Sequence, residues 1–246
     1  MGADTVTAPR FRSCAMTHPG AKRTHNEDAY VDRPDLGLWA VADGAGGHAA
    51  GDVASGMIAE ALEAIPAGLR ASELLAEVRL AIERTHAALR EEAMRRGPDV
   101  MVASTVVVML ARGGHFACLW AGDSRAYLLR GGTLRQITRD HSLVQELLEA
   151  GAIEPDQVEN HPRANVITRA VGAELGEFAL DKVSDRLVPG DRFLLCSDGL
   201  CKTLPDGELA SLLGLPDGAP PQVLIDAALA MNASDNVTAV TVEYTG

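Results

Sequence analysis

Apolar residues in this chain follow two rhythms. Short runs rich in β-branched and aromatic residues have strand length: Phe11 to Thr17, Ala29 to Asp32, Leu36 to Ala42, Val102 to Leu110, Phe116 to Ala121, Ser124 to Leu129 and Thr133 to Ile137. Further runs follow at Phe178 to Leu187, Arg192 to Cys196 and Asn236 to Tyr244. Between them the spacing turns helical. His48 to Ile65 places Val53, Met57, Ile58, Ala61 and Leu62 on one stripe. A longer helix is predicted from a Ser72 cap to Arg96, where Gly97-Pro98 stops it, with Leu75, Val78, Ile82 and Leu89 as its buried face. Shorter helices are expected at Leu143 to Ala150, Gly207 to Leu213 and Pro221 to Met231.

The connections narrow the topology. Gly113-Gly114 and Gly131-Gly132 are hairpin turns, and only Gly122-Asp123 separates the runs on either side of it. Parallel neighbours need crossovers of about a dozen residues, so the stretch from Val102 to Ile137 reads as an antiparallel meander. Strands early and late with helices between them give an α+β class, antiparallel sheets covered by helices. With no internal repeat or linker, residues 1–246 read as one domain. Residues 142–172 are irregular apart from one short helix, and a segment of that length is expected to be a mobile flap.

Charge and composition exclude several classes. Lys plus Arg is 22 and Asp plus Glu is 34, a formal net charge of −12. Such a chain repels nucleic acid and anionic membrane, and neither is expected as a partner. No stretch reaches the ~20 apolar residues of a membrane span and no secretory leader pattern opens the chain, so a cytoplasmic location is expected. Cys14, Cys118, Cys196 and Cys201 form no CxxC pair and read as free thiols. The 7 histidines show no zinc spacing. His86 is expected at the solvated surface and His141 in a structural role.

The acidic residues change the picture. Asp43 follows LWAVA, Asp123 follows CLWAG, Asp198 follows FLLCS, and Asp235 precedes NVTAVTV, while Asn26-Glu27-Asp28 precedes another strand. One Asp-Gly after a strand is a turn. Several carboxylates at strand ends are a ligand set, because like charges brought together repel until cations cancel them. All-oxygen donors favour magnesium, manganese or calcium over zinc.

These residues also carry a resemblance. Arg23-Thr24-His25-Asn26-Glu27-Asp28, Asp43-Gly44-Ala45-Gly46-Gly47-His48, Ala121-Gly122-Asp123-Ser124-Arg125, Ser197-Asp198-Gly199-Leu200 and Ser234-Asp235-Asn236-Val237-Thr238 resemble the ordered motifs of the protein phosphatase 2C family, in its compact bacterial form. Arg139-Asp140-His141 and Asn165 to Gly172 are similar to further family segments. Ala45 departs from the methionine that bacterial members often carry. The resemblance implies two antiparallel sheets packed face to face as a central sandwich, with α-helices outside in α-β-β-α layers. It implies a metal-dependent serine/threonine protein phosphatase in which a metal-bridging water attacks phosphorus.

Residue roles follow from the same resemblance. Two Mn2+ or Mg2+ ions are expected to share Asp43, with the Gly44 carbonyl, Asp198 and Asp235 completing the pair. Glu27 and Asp28 serve directly or through water, and Asp123 with Asp198 holds a third, weaker ion. Arg23 is assigned to the substrate phosphate, His48 to the proton of the leaving oxygen, and Asn236 to orienting Asp235. The implied partners are phosphorylated proteins and a serine/threonine protein kinase whose products the enzyme, a monomer, reverses. Two other readings stay open: a binding module with little turnover, and a hydrolase of small phosphoesters.

Overall fold

A computed structural model describes residues 11–46, 50–158, 161–173, 178–216 and 218–246. Strands β1 (Phe11–His18), β2 (Asp28–Arg33) and β3 (Leu38–Ala45) lead into helices α1 (Gly51–Glu63) and α2 (Ala71–Arg96). Strands β4 (Ala103–Ser104), β5 (Val106–Arg112), β6 (His115–Ala121), β7 (Arg125–Arg130) and β8 (Thr133–Gln136) follow, then α3 (Leu143–Glu149). The chain continues with β9 (Asp181–Arg186), β10 (Arg192–Cys196), α4 (Asp198–Cys201), α5 (Asp206–Leu213), α6 (Pro221–Ala230) and β11 (Val237–Tyr244).

One sheet runs β1-β11-β10-β7-β8 and the other β2-β3-β5-β6-β9, with β4 paired to the end of β3. All pairings are antiparallel. The period-2 rhythm sorts side chains into layers. From β5, Val106 and Val108 face α1 and α2, where Ile58, Leu62, Leu74, Val78, Ile82 and Leu89 pack. Val107 and Met109 of the same strand point the other way, between the sheets, onto Trp39, Phe116, Phe193 and Val240. On the far side, Tyr127, Leu194 and Val237 meet Leu209, Leu213, Leu224 and Ile225 of α5 and α6. The order is helix, sheet, sheet, helix, as the family resemblance implies.

Four local expectations are corrected. The expected meander is broken: β6 and β7 do not pair, and the chain leaves one sheet for the other across Gly122-Asp123-Ser124. Gly122 has φ of 112°, and a Cβ there would lie 2.5 Å from Thr105 Cβ, so only glycine makes this switch. In α1 Ile58 and Leu62 are buried as expected, but Gly51, Ala54 and Ser55 complete the stripe in place of Val53, Met57 and Ala61, because small residues let the helix approach β3. A Cβ on Gly44 would lie 2.0 Å from the Gly51 carbonyl oxygen. Ser72 does not cap α2, which starts at Ala71 with the Arg70 backbone N–H donating to Glu73 Oε2 at 2.9 Å, and Leu74 rather than Leu75 is its fully buried first-turn leucine. His86 is not a surface residue: its Nδ1 accepts the Gly172 N–H at 2.9 Å and its ring stacks on Phe178.

The inter-sheet layer supports a stability test. Phe193 is fully buried and meets Phe116 edge-on at a centroid distance of 4.9 Å. Phe193→Ala is expected to cost about 3–5 kcal/mol in urea denaturation. Met94→Ala, at a side chain 66% exposed, is expected to stay within about 0.5 kcal/mol.

Candidate active site

The two sheets present their acidic strand ends at the same end of the molecule. Asp28 opens β2 and stands in register with Asp43 on β3. Asp123 lies on the sheet switch, Asp198 begins α4 directly after β10, and Asp235 precedes β11, the neighbour of β10. A cavity of about 410 Å³ lies between them, lined by Glu27, Asp43, Gly44, Asp123, Asp198 and Asp235, with Arg23 and Asn236 also on its wall.

Backbone positions at this end are held by hydroxyls. The Asp43 carbonyl accepts from Ser104 Oγ at 2.9 Å and from the Thr105 N–H at 2.8 Å. The Asp43 N–H donates to Thr105 Oγ1 at 3.3 Å, and Thr105 Oγ1 lies 2.6 Å from Ser124 Oγ. The expected strand from Val102 is interrupted at Thr105 for this purpose. Asp28 is gripped similarly: Oδ2 accepts from Ser197 Oγ at 2.7 Å and Thr238 Oγ1 at 2.6 Å. Its other oxygen, Oδ1, is buried with no partner, as is Asp123 Oδ1. A buried carboxylate oxygen left without a donor costs free energy, and a cation is one remedy.

The electrostatics agree. Burial first, then Thr238 and Ser197 acting against it, and then Asp198 and Asp235, leave the Asp28 pKa pushed up to about 7. Burial, reinforced by Asp28, Asp198, Asp123 and Asp235, drives Asp43 well above the carboxylate range. Asp198 is raised by burial and by Asp123, with Lys202 opposing. Among the described residues no three His, Cys, Asp or Glu side chains close on one point. Carboxylate and carbonyl oxygens line the cavity together, the donor type that hard divalent cations such as Mg2+ prefer. The donor set fits hard divalent cations.

The remaining expected residues fall out unequally. Arg23 is exposed at the rim, with Nη2 on Asp235 Oδ2 at 3.0 Å. His48 lies outside the described residues. The Asn236 side chain does not reach Asp235. It donates through Nδ2 to the Pro19 and His25 carbonyls at 3.0 and 2.9 Å and accepts the Glu27 N–H at 2.9 Å, so it shapes the loop that carries Glu27. Asp235 Oδ1 accepts instead from the Asn236 backbone N–H at 3.0 Å. His141 Nδ1 accepts the Gly122 N–H at 3.2 Å, a structural contact.

One charged residue was missed by sequence reasoning. Lys202 Nζ donates to Asp123 Oδ2 at 2.9 Å and to Asp198 Oδ2 at 2.7 Å. It also donates to Asn165 Oδ1 at 3.3 Å, within the irregular 142–172 segment. The signal available was an i,i+4 spacing from Asp198 on a helix. Asn165 and Ile167 bring that segment to the cavity wall.

The profile of the protein phosphatase 2C family matches residues 20–216. The serine/threonine protein phosphatase PstP of Mycobacterium tuberculosis is 36% identical over 232 residues, 94% of this chain. The chain spans only 44% of that relative's length. The serine/threonine phosphatase stp of Listeria welshimeri is 36% identical over 92% of this chain and 93% of its own. Among solved structures, PppA of Pseudomonas aeruginosa, a regulatory component of T6SS, superposes with TM-score 0.86 at 46% identity over 95% of this chain and 97% of its own. The catalytic domain of PstP in complex with two manganese ions superposes with TM-score 0.82 at 34% identity, over 96% of this chain and 99% of that one. By sequence and fold, the chain belongs to the protein phosphatase 2C family.

Proposed function

We propose that this chain hydrolyses phosphoserine and phosphothreonine in proteins as a metal-dependent phosphatase with two divalent cations. The observation that carries the reading is the meeting of Asp43, Asp123, Asp198 and Asp235 from separate strand ends around one cavity, with Asp28 in register beside Asp43. Asp43, the Gly44 carbonyl, Asp198 and Asp235 would hold these ions, and Asp28 would offer its unpartnered Oδ1. Glu27 acts directly or through water. The two-manganese structure of a relative supports the count of two, and either Mn2+ or Mg2+ suits these oxygens. When bound, such cations lower the pKa of water and offset charge on the transferring phosphoryl group.

The chain's own residues do the rest. Arg23 grips phosphate oxygens through its planar fork, in exchange for its contact with Asp235. Water adds to phosphorus, the P–O bond to the side chain breaks, and the departing serine or threonine oxygen takes a proton, the role assigned to His48. Residues 142–172 act as the flap that selects the protein substrate, since Asn165 and Ile167 already line the cavity. The inferred partners are phosphoproteins and a serine/threonine kinase, met by a monomeric single-domain enzyme.

A phosphoserine peptide assay in manganese, then in chelator, tests the reading directly. Turnover is expected only with metal; full activity after exhaustive chelation overturns it. Asp43→Asn, Asp198→Asn and Asp235→Asn are each expected to abolish nearly all turnover. Asp43→Asn should also raise the melting temperature of the metal-free protein, because it removes one of two facing charges.

Arg23 and His48 are expected to separate by substrate. His48→Ala should slow a phosphoserine peptide by up to about 10²–10⁴ and an aryl phosphate far less, since an aryl oxide leaves without a proton. Arg23→Ala should weaken binding of both, since the phosphoryl group is common to them. Equal slowing of both substrates by His48→Ala removes it as the acid.

A further inference from the structure

We infer that Lys202 is a built-in cation that replaces a third divalent ion on the Asp123–Asp198 carboxylate pair and ties the 142–172 segment to the site. The inference rests on the two-cation reading. Lys202 follows the short helix that Asp198 begins, so the chain itself fixes the ammonium one helical turn from one carboxylate. Nζ then spans to the other: it lies 2.7 Å from Asp198 Oδ2 and 2.9 Å from Asp123 Oδ2, both short, charge-assisted contacts. The Asp123 side chain is only 3% exposed while that of Lys202 is 34% exposed, so the Asp123 end of the pairing is shielded from water.

Charge decides the competition. Two carboxylates flanking one cation are already half neutralised by an ammonium. A divalent ion entering between them must either displace Nζ, breaking both of its carboxylate contacts, or sit beside it and meet +1 at close range. The tethered lysine loses little freedom in binding, whereas a third ion must also shed water. Asn165 Oδ1, 3.3 Å from Nζ, takes another of the three ammonium donors. A metal ion at the same place would leave Asn165 without that link, so the lysine joins the segment beside the cavity to the acidic cluster.

The test is a count of ions. The chelator-treated full chain is titrated with Mn2+ by calorimetry, with free Mn2+ read in parallel by electron paramagnetic resonance. Two sites are expected in the wild type and a gain of one in Lys202→Met, which keeps the stem and removes the charge. The wild-type count tests the two-cation reading; the gain tests Lys202, so the two fail separately. No gain in Lys202→Met overturns the inference. Should that variant fail to fold, judged by its near-ultraviolet circular dichroism, Asp123→Asn decides. The inference requires the count to stay as in the wild type, and a loss of one site shows that an ion displaces the lysine and overturns it.

Discussion

Asp28 and Asp43 are held directly across from each other on neighbouring antiparallel strands. Cross-strand side chains of this kind lie roughly 5 Å apart, where two carboxylates repel by about 3 kcal/mol at an effective dielectric of about 20. Register makes the clash unavoidable, because a slip of one residue would turn every side chain of the strand to the wrong face. The apolar layers on both sides of β3 hold that register. Leu38 and Ala40 pack under the helices while Trp39 and Val41 pack between the sheets. The acidic end is thus fixed by burial elsewhere in the same strand, and its charges have no freedom to move apart.

What surrounds the carboxylates is consistent with that constraint. Asp28 uses one oxygen for two hydroxyl donors and keeps the other unpartnered. Asp43 is clamped through its backbone by Ser104 and Thr105, so its side chain is aimed without being consumed. Hydroxyl and backbone donors hold position, and the repulsion is relieved by a proton, which the raised pKa of both carboxyls favours, or by a cation. A single buried Val, Leu or Phe is worth about 1.5–3 kcal/mol, so two such side chains offset the facing pair. A cation at this end would offset the repulsion that the register imposes.

The layers of the fold were legible because strands buried on both faces leave an unbroken apolar run. VVVML on β5 is such a run, and it feeds two cores at once. The sheet switch at Gly122 was not legible. Two residues between two apolar runs look like a hairpin whether the runs pair or part, and what decides is the crowding of Gly122 against Thr105 in three dimensions. The stripe of α1 has a similar cause. Periodicity ranks Val53 and Met57 above Gly51 and Ala54, but close approach to β3 favours the smaller side chains.

At the site, the acidic residues were legible and their supports were not, and the difference is physical. A carboxylate at the end of an apolar run stands out from its neighbours. Ser104, Thr105, Ser197 and Thr238 are ordinary strand residues until pairing sets them beside Asp28 and Asp43. Asn236 had the right position and the wrong target. The family resemblance assigned it to Asp235, yet its side chain bonds the 19–27 loop instead. Lys202 is the sharpest case. Counted by sign it is one cation among 22, and only the sheet switch, which places Asp123 opposite Asp198, makes it the cation at the centre of the acidic end.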